Sequence, residues 1–252
     1  MDVLIVTLAS ALAGFVDSIV GGGGLILVPA LFATYPSAAP AAMLGTNKSA
    51  SVWGAAFSTW RYSRHVDMVW RTVLVAAALT FTGACLGAWA VTQVSPALLR
   101  RALPLVLLAL LVYTLARKDL GREHAPRWPQ RRELMLMSGM GLVVGFYDGF
   151  FGPGAGSFFV FFLVRVLGYD FLHASAGAKL LNTASNSAAL LSFSWTGHVW
   201  WHLALPLAVA NILGSWLGTR LALRHGAGFV RQVFLLVVGA LILKTGYDGF
   251  LR

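Results

Sequence analysis

Two segments of the sequence each combine one carboxylate with a cluster of glycines inside an apolar stretch. The first holds Asp17, then Gly21, Gly22, Gly23 and Gly24; the second holds Asp148, then Gly152, Gly154 and Gly156. Glycine permits positive φ and close backbone approach, so these clusters predict breaks in transmembrane helices. The N–H groups freed by a break, with the positive end of the following helix, form an anion site. We therefore predict that these glycines bind substrate, with close helix packing as the structural alternative.

Two lysines repeat with the same spacing as the two acids, each among polar neighbours. Thr46 and Asn47 precede Lys48 in the first half, and Asn182 and Asn186 follow Lys179 in the second. A lysine in an apolar segment costs about 2.5–3.5 kcal/mol on insertion scales, so it usually faces a cavity or a partner. We predict that these six residues donate to a bound anion. Alternatively, either lysine snorkels to the membrane interface or forms a structural ion pair.

The two acids have two open roles. Asp17 and Asp148 would oppose anion binding if they were charged and unpaired. We expect each acid to cap its helix break or to pair with a lysine. The alternative is a proton carrier that couples transport to a proton gradient.

Composition places the chain in a lipid bilayer. Of its 252 residues 58% are hydrophobic and 11% charged, and the mean hydropathy is +0.75. Soluble domains carry about 25% charged residues, so this chain cannot cover itself with a solvated surface. The net charge of +10 resides in short segments between apolar runs. That distribution fits the positive-inside rule and does not predict a nucleic-acid partner.

Apolar runs divide the chain into two halves. We predict a first transmembrane repeat at 1–116, a basic cytoplasmic linker at 117–132 and a second repeat at 133–252. The runs are 3–19, 24–34, 44–60, 69–92 and 98–116, then 133–151, 155–168, 174–194, 199–221 and 228–248. Two of them, 24–34 and 155–168, are shorter than the roughly 20 residues that span a bilayer. Each follows a glycine cluster, and short segments in corresponding positions of two halves indicate a transporter binding site.

Loop charge predicts the topology of the two halves. The loop before 69–92 is basic, whereas the corresponding loop of the second half, 194–202, has no lysine or arginine. Opposite charge in matching loops is expected when the halves have inverted topology. The predicted fold is therefore an all-α polytopic membrane protein with two inverted repeats and 8–10 transmembrane segments, in which short broken helices follow the glycines. If the short runs dip in and return, the halves become parallel and the loop charges fit less well.

Little in the sequence indicates an enzyme. There is no P-loop, no nucleophile elbow and no His-Glu-x-x-His motif, and only nine acids are present. The six histidines show no metal-ligand spacing, and Cys85 is the single cysteine. We therefore predict no catalytic residue, no metal and no cofactor.

Both halves carry motifs that resemble the TauE/SafE sulfite exporter family of bacterial permeases, also called the TSUP family. The matching segments are 14–24, 45–48, 145–156 and 179–186, and their order covers nearly the whole chain. In the second copy Pro153 and Ala155 replace glycines, so the half-sites should differ. The resemblance implies a multi-pass transporter of the bacterial inner membrane. Its members are usually described as having eight helices, fewer than the ten runs counted here.

The implied substrate is a small sulfur oxyanion or organosulfonate, such as sulfite, thiosulfate or sulfoacetate. We predict secondary transport by alternating access around the paired helix breaks, with proton coupling left open. The alternatives are an anion channel, or a membrane-embedded enzyme or accessory subunit. The particular anion, the direction of transport and a homo-oligomeric state are not determined by the sequence.

Overall fold

The computed structural model describes residues 1–95 and 124–250, with few side chains described beyond residue 230. Within these ranges the structure is helical, with no strand. The helices are α1 (Asp2–Val20), α2 (Gly24–Thr34), α3 (Pro40–Ser63), α4 (Trp70–Thr92), α5 (Gln130–Phe150), α6 (Ala155–Phe162), α7 (Phe171–Trp195) and α8 (Trp201–Phe250). A π-helical turn, Leu163–Leu167, extends α6. The predicted run 98–116 and most of the predicted linker lie outside the described residues.

Glycines end and begin the helices where the sequence predicted breaks. α1 ends at Gly21, which has φ 77°, and α2 starts three residues later. α6 starts after Gly154, which has φ 82° in the left-handed region that glycine tolerates best. Inside α8, Gly226 has non-helical φ and ψ angles and lies between the two runs predicted at 199–221 and 228–248. The prediction of an all-α fold with broken helices after the glycine motifs is confirmed.

The distribution of polarity is that of a membrane protein. On α1, Leu4, Leu8 and Leu12 are exposed, whereas Ser10 and Ser18 are buried. Three helical segments are long and apolar enough to cross a bilayer: Asp2–Val20, Trp70–Thr92 and Trp201–Val230. Helices α3, α5 and α7 are also long but carry the lysines, asparagines and Asp148, which lowers their hydropathy. Because these polar groups are buried, the apolar surface remains outermost.

The two halves of the chain pack against each other through two similar pairs of helices. α1 packs against α8, and the equivalent pair α4 and α5 packs in the same way. A Cβ at Gly14 would overlap the backbone of Asn211, and a Cβ at Gly87 would overlap that of Phe146. Such small-residue contacts let transmembrane helices approach closely. The two halves therefore interlock.

Helices α3 and α7, which carry Lys48 and Lys179, cross in antiparallel directions. Thr59 Oγ1 lies 2.9 Å from Thr183 Oγ1, near the end of α3 and the middle of α7. A Cβ at Gly45, near the start of α3, would touch Phe193, near the end of α7. The end of α3 therefore contacts the middle of α7, and the start of α3 contacts the end of α7, so the two helices run antiparallel.

Candidate functional site

The two helix breaks lie against one another in the interior. A Cβ at Gly21 would overlap the backbone of Gly156, and a Cβ at Gly24 would lie 3.1 Å from Pro153 Cα. A side chain at Gly21 would therefore force the two breaks apart, whereas one at Gly24 would need Pro153 to move by a few tenths of an ångström. The glycines that interrupt the helices also allow the interrupted segments to meet. This contact brings the N-terminal ends of α2 and α6 to the same region.

The lysine of the first half pairs with the acid of the second. Lys48 Nζ donates to Asp148 Oδ1 at 2.7 Å and to Asn186 Oδ1 at 2.9 Å. The other oxygen of Asp148 accepts a short hydrogen bond from the Ser185 hydroxyl. The side chains of the ion pair are 3% and 2% exposed. Four residues from three helices thus form one buried polar network.

The lysine of the second half pairs with the acid of the first. Lys179 Nζ donates to Asp17 Oδ2 at 2.8 Å. Asp17 Oδ1 accepts the N–H of Gly23 at 3.1 Å, at the start of α2. One acid therefore holds a lysine and a backbone N–H group at the break. A carboxylate at this position is also favoured by the positive end of the helix.

A small polar cavity lies between the two ion pairs and the two breaks. The space among its walls is about 260 Å³, a figure that includes solvent outside its mouth. Its walls are formed by Asp17, Gly22, Gly24, Asn47, Lys48, Ser51, Asp148, Gly152, Gly154, Gly156, Asn182 and Asn186. The side-chain oxygen of Asn47 is buried and has no hydrogen-bond partner. A buried acceptor without a partner is costly, so this oxygen is available to a hydrogen-bond donor, such as water or a protonated group of a ligand.

Most of the predicted site residues converge on this cavity, and four lie behind its walls. Lys179 is fully buried against Asp17. Gly21 packs against the backbone of Gly156, and the N–H of Gly23 donates to Asp17. The Thr46 hydroxyl accepts the N–H of Trp200 at 3.0 Å, just before α8. Sequence reasoning missed Ser51 and Ser185. The available signal was helical spacing, because Ser51 lies three positions after Lys48 and Ser185 lies three positions after Asn182.

The electrostatics differ from those of a simple cationic anion trap. Each lysine is balanced by one carboxylate, so the four ionisable groups carry no net charge when all are ionised. Backbone N–H groups at the breaks and the amide N–H groups of Asn182 and Asn186 are the neutral donors, and Asn186 Nδ2 already donates to Asn182 Oδ1 at 3.2 Å. An anion that enters must gain its charge stabilisation from the helix ends, or from a lysine whose carboxylate partner is neutralised.

Broken helices that meet in the interior of a polytopic bundle, with ion pairs around a polar cavity, define a membrane transporter. The chain belongs to the sulfite exporter TauE/SafE family, whose profile matches residues 6–245. It is similar to the probable membrane transporter protein YfcA of Escherichia coli K12, with 38% identity over 94% of this chain and 87% of that protein.

Two further relatives carry the same kind of name. The probable membrane transporter protein ORF9 of a Sinorhizobium species is 36% identical over 95% of this chain and 90% of its own length. A probable membrane transporter protein of Haemophilus influenzae is 34% identical over 94% of this chain and 91% of its own. No solved structure matches the chain significantly. The expectations of a membrane transporter and of this family are thus confirmed.

Proposed function

We propose that the protein is a secondary transporter of small sulfur-containing anions, such as sulfite, thiosulfate or an organosulfonate, across the bacterial inner membrane. The proposal depends on one observation: the two helix breaks meet at a cavity flanked by two ion pairs. Each ion pair joins a residue of the first half to a residue of the second. Neutral N–H and amide donors suit the several oxygens of a sulfur oxyanion. The cavity's small size favours a compact solute over a lipid or an acyl donor.

Proton coupling follows from the charge balance of the cavity. An oxyanion near Lys48 competes with Asp148 for the same ammonium, which lies 2.7 Å from the carboxylate. A proton on Asp148 removes that competition and leaves the lysine charge to the anion. We infer that binding of the anion and protonation of the carboxylate favour each other, which makes the proton a co-substrate.

Inverted topology of the halves is supported by α3 and α7. These helices occupy equivalent positions in the two repeats and run antiparallel where they cross. A two-fold axis that relates antiparallel transmembrane helices lies in the membrane plane, as in other transporters with inverted repeats. Alternating access then exchanges the roles of the two breaks around one site.

The test is uptake by proteoliposomes of sulfite, thiosulfate, sulfoacetate, taurine and sulfate, with and without an imposed pH gradient. We expect concentrative uptake of at least one sulfur anion only when the gradient is present. Lys48→Ala should abolish this uptake, and Lys118→Ala, in the predicted linker, serves as the matched control. Equal uptake by protein-free vesicles, or passive equilibration that ignores the gradient, would exclude a coupled transporter and, in the second case, indicate a channel.

A further inference from the structure

Three ligand-type side chains meet outside the transport cavity, where the segment before α5 reaches the start of α7. They are His124, Asp170 and His173, and one ligand atom from each lies within 4.8 Å of the other two. Asp170 precedes Lys179 by nine positions on the chain, which is about 13 Å along a helix. The cluster is thus separate from the ion pairs of the cavity.

Asp170 is held so that one of its oxygens faces both imidazoles. Its Oδ1 caps α7 by accepting the N–H groups of Leu172 at 2.7 Å and His173 at 2.8 Å. Its Oδ2 lies 2.6 Å from His173 Nδ1 and 3.9 Å from His124 Nδ1. Because the cap fixes the carboxylate, the direction of Oδ2 is set by the backbone of α7.

Backbone contacts also fix His124. The N–H of Ala125 donates to Gly168 O at 2.9 Å, and that of Arg127 donates to Leu167 O at 3.0 Å. The His124 ring stacks on that of His173, with 4.0 Å between centroids and 28° between planes. The ring is therefore placed by its neighbours on both sides. Two imidazoles and one carboxylate are presented together by segments 46 positions apart in the chain.

The chemistry of this donor set suits a borderline transition-metal ion. Two imidazoles with one carboxylate bind Zn²⁺, Co²⁺ or Ni²⁺, whereas Mg²⁺ and Ca²⁺ prefer oxygen ligands. Metal–ligand bonds of about 2.0–2.1 Å in a tetrahedron place ligand atoms about 3.3 Å apart. The two nitrogen–oxygen distances of 2.6 and 3.9 Å bracket this value. Each of these two distances differs from the tetrahedral value by under an ångström, and water could supply the fourth ligand.

A second carboxylate lies near the cluster and favours a cation there. Glu133 is 6% exposed and accepts a hydrogen bond from the Tyr169 hydroxyl at 2.6 Å. The ring of the same Tyr169 lies 4.9 Å from that of His124, measured between centroids.

We propose that His124, Asp170 and His173 form a site for a divalent transition-metal ion, with Zn²⁺ as its natural probe. When the ion takes its place between His173 Nδ1 and Asp170 Oδ2, the neutral ring carries its proton on Nε2 instead of Nδ1. The bound ion would connect the segment before α5 to α7, the helix that carries Lys179, Asn182 and Asn186. Metal binding would then restrain a helix of the transport site from outside the cavity.

The test is direct binding by the full chain, purified in detergent with any affinity tag removed. We expect isothermal titration to give one Zn²⁺ per chain and Co²⁺ to give the visible absorption of a tetrahedral site. His124→Ala and His173→Ala should each weaken Zn²⁺ binding by at least about tenfold, the lower range for outer-shell changes, because each removes a ligand outright. Asp170→Asn should also weaken binding while its amide oxygen preserves the helix cap.

His225→Ala is the matched control, because His225 lies in α8 and contacts Leu221 O and Phe229. Added Zn²⁺ should also raise the melting temperature of the wild type and of His225→Ala, but not that of His173→Ala, since a ligand stabilises only a state that binds it. Helical circular dichroism without metal shows that each variant is folded. The proposal is overturned by the absence of saturable binding to wild type, or by equal Zn²⁺ affinity in wild type, His124→Ala and His173→Ala.

Discussion

A double-mutant cycle on Lys48 and Asp148 measures the energy that joins the two halves. Lys48→Met removes the ammonium and leaves a buried carboxylate that keeps the Ser185 hydrogen bond. Asp148→Asn leaves a buried ammonium whose described partner is the amide oxygen of Asn186. Removing one member of a buried ion pair costs about 3–5 kcal/mol, because the other charge is left uncompensated. We expect each single variant to lose stability by that amount.

The double variant distinguishes the energy of the ion pair from the cost of burying an unpaired charge. If the losses were additive, Lys48→Met with Asp148→Asn would lose about 6–10 kcal/mol. The double variant contains no unpaired charge, so we expect it to lose no more than either single variant. The coupling energy is then at least about 3 kcal/mol, at the upper end of that measured for contacting residues.

The assay is unfolding in mixed micelles with increasing denaturing detergent, followed by the fluorescence of the nine tryptophans. A control cycle pairs Lys48→Met with Asp67→Asn, because Asp67 is exposed in the loop after α3. Its coupling should lie within about 0.5 kcal/mol of zero. Additive losses in the Lys48–Asp148 cycle would refute the ion pair as a stabilising contact. A folded double variant should nonetheless fail to transport, since both charges of the proposed mechanism are gone.

Four further substitutions distinguish packing from binding. Gly21→Ala should prevent folding, because its Cβ would overlap the backbone of Gly156. Gly152→Ala should fold, at a cost of about 1–2 kcal/mol for an alanine in the left-handed region. It should lower transport, because the added Cβ would lie 3.3 Å from Lys48 Nζ. For both variants, a monodisperse protein in detergent indicates folding, and anion uptake by proteoliposomes measures transport. Thr46→Val should lose about 1–3 kcal/mol by leaving the Trp200 N–H unpaired, yet keep its substrate affinity, and a lost affinity would return Thr46 to the binding site. Asn47→Ala should keep its unfolding midpoint, because the buried Asn47 Oδ1 has no partner to lose. It should raise the KM for the anion, because the cavity wall loses an amide N–H donor, and an unchanged KM would mean that Asn47 contacts no substrate.

Helix limits and helix breaks were predictable because they depend on local signals. The run 24–34 coincides with α2, and the glycines that bound it set the positive φ values at the break. α3 extends beyond the predicted 44–60 to Pro40–Ser63, because Pro40 suits the first helical turn and the polar ends continue the helix. Composition alone predicted the membrane environment.

Partners of the polar residues were not predictable, because their contacts are long-range. The sequence allowed Lys48 to pair with either acid, and only the packing of α3 against the second half selects Asp148, 100 residues away. Thr46 shares a motif with Lys48 but points to Trp200 instead. His124 and His173 have no ligand spacing in the sequence, and they meet because the segment before α5 binds the turn that precedes α7.

Each ion pair joins a residue of the first half to a residue of the second, and this has a consequence for synthesis and membrane insertion of the chain. Lys48 leaves the ribosome about 100 residues before Asp148, and Asp17 about 160 before Lys179, as the spacings of 100 and 162 residues require. The first half therefore enters the bilayer with a lysine and an acid whose partners have not been synthesised. An unpaired charge there costs a few kcal/mol, so we expect these helices to stay shielded by the insertion machinery or at the interface until the second half arrives. We therefore expect the two halves to insert cooperatively, and a chain truncated after the first half to be recognised as incomplete by membrane quality control.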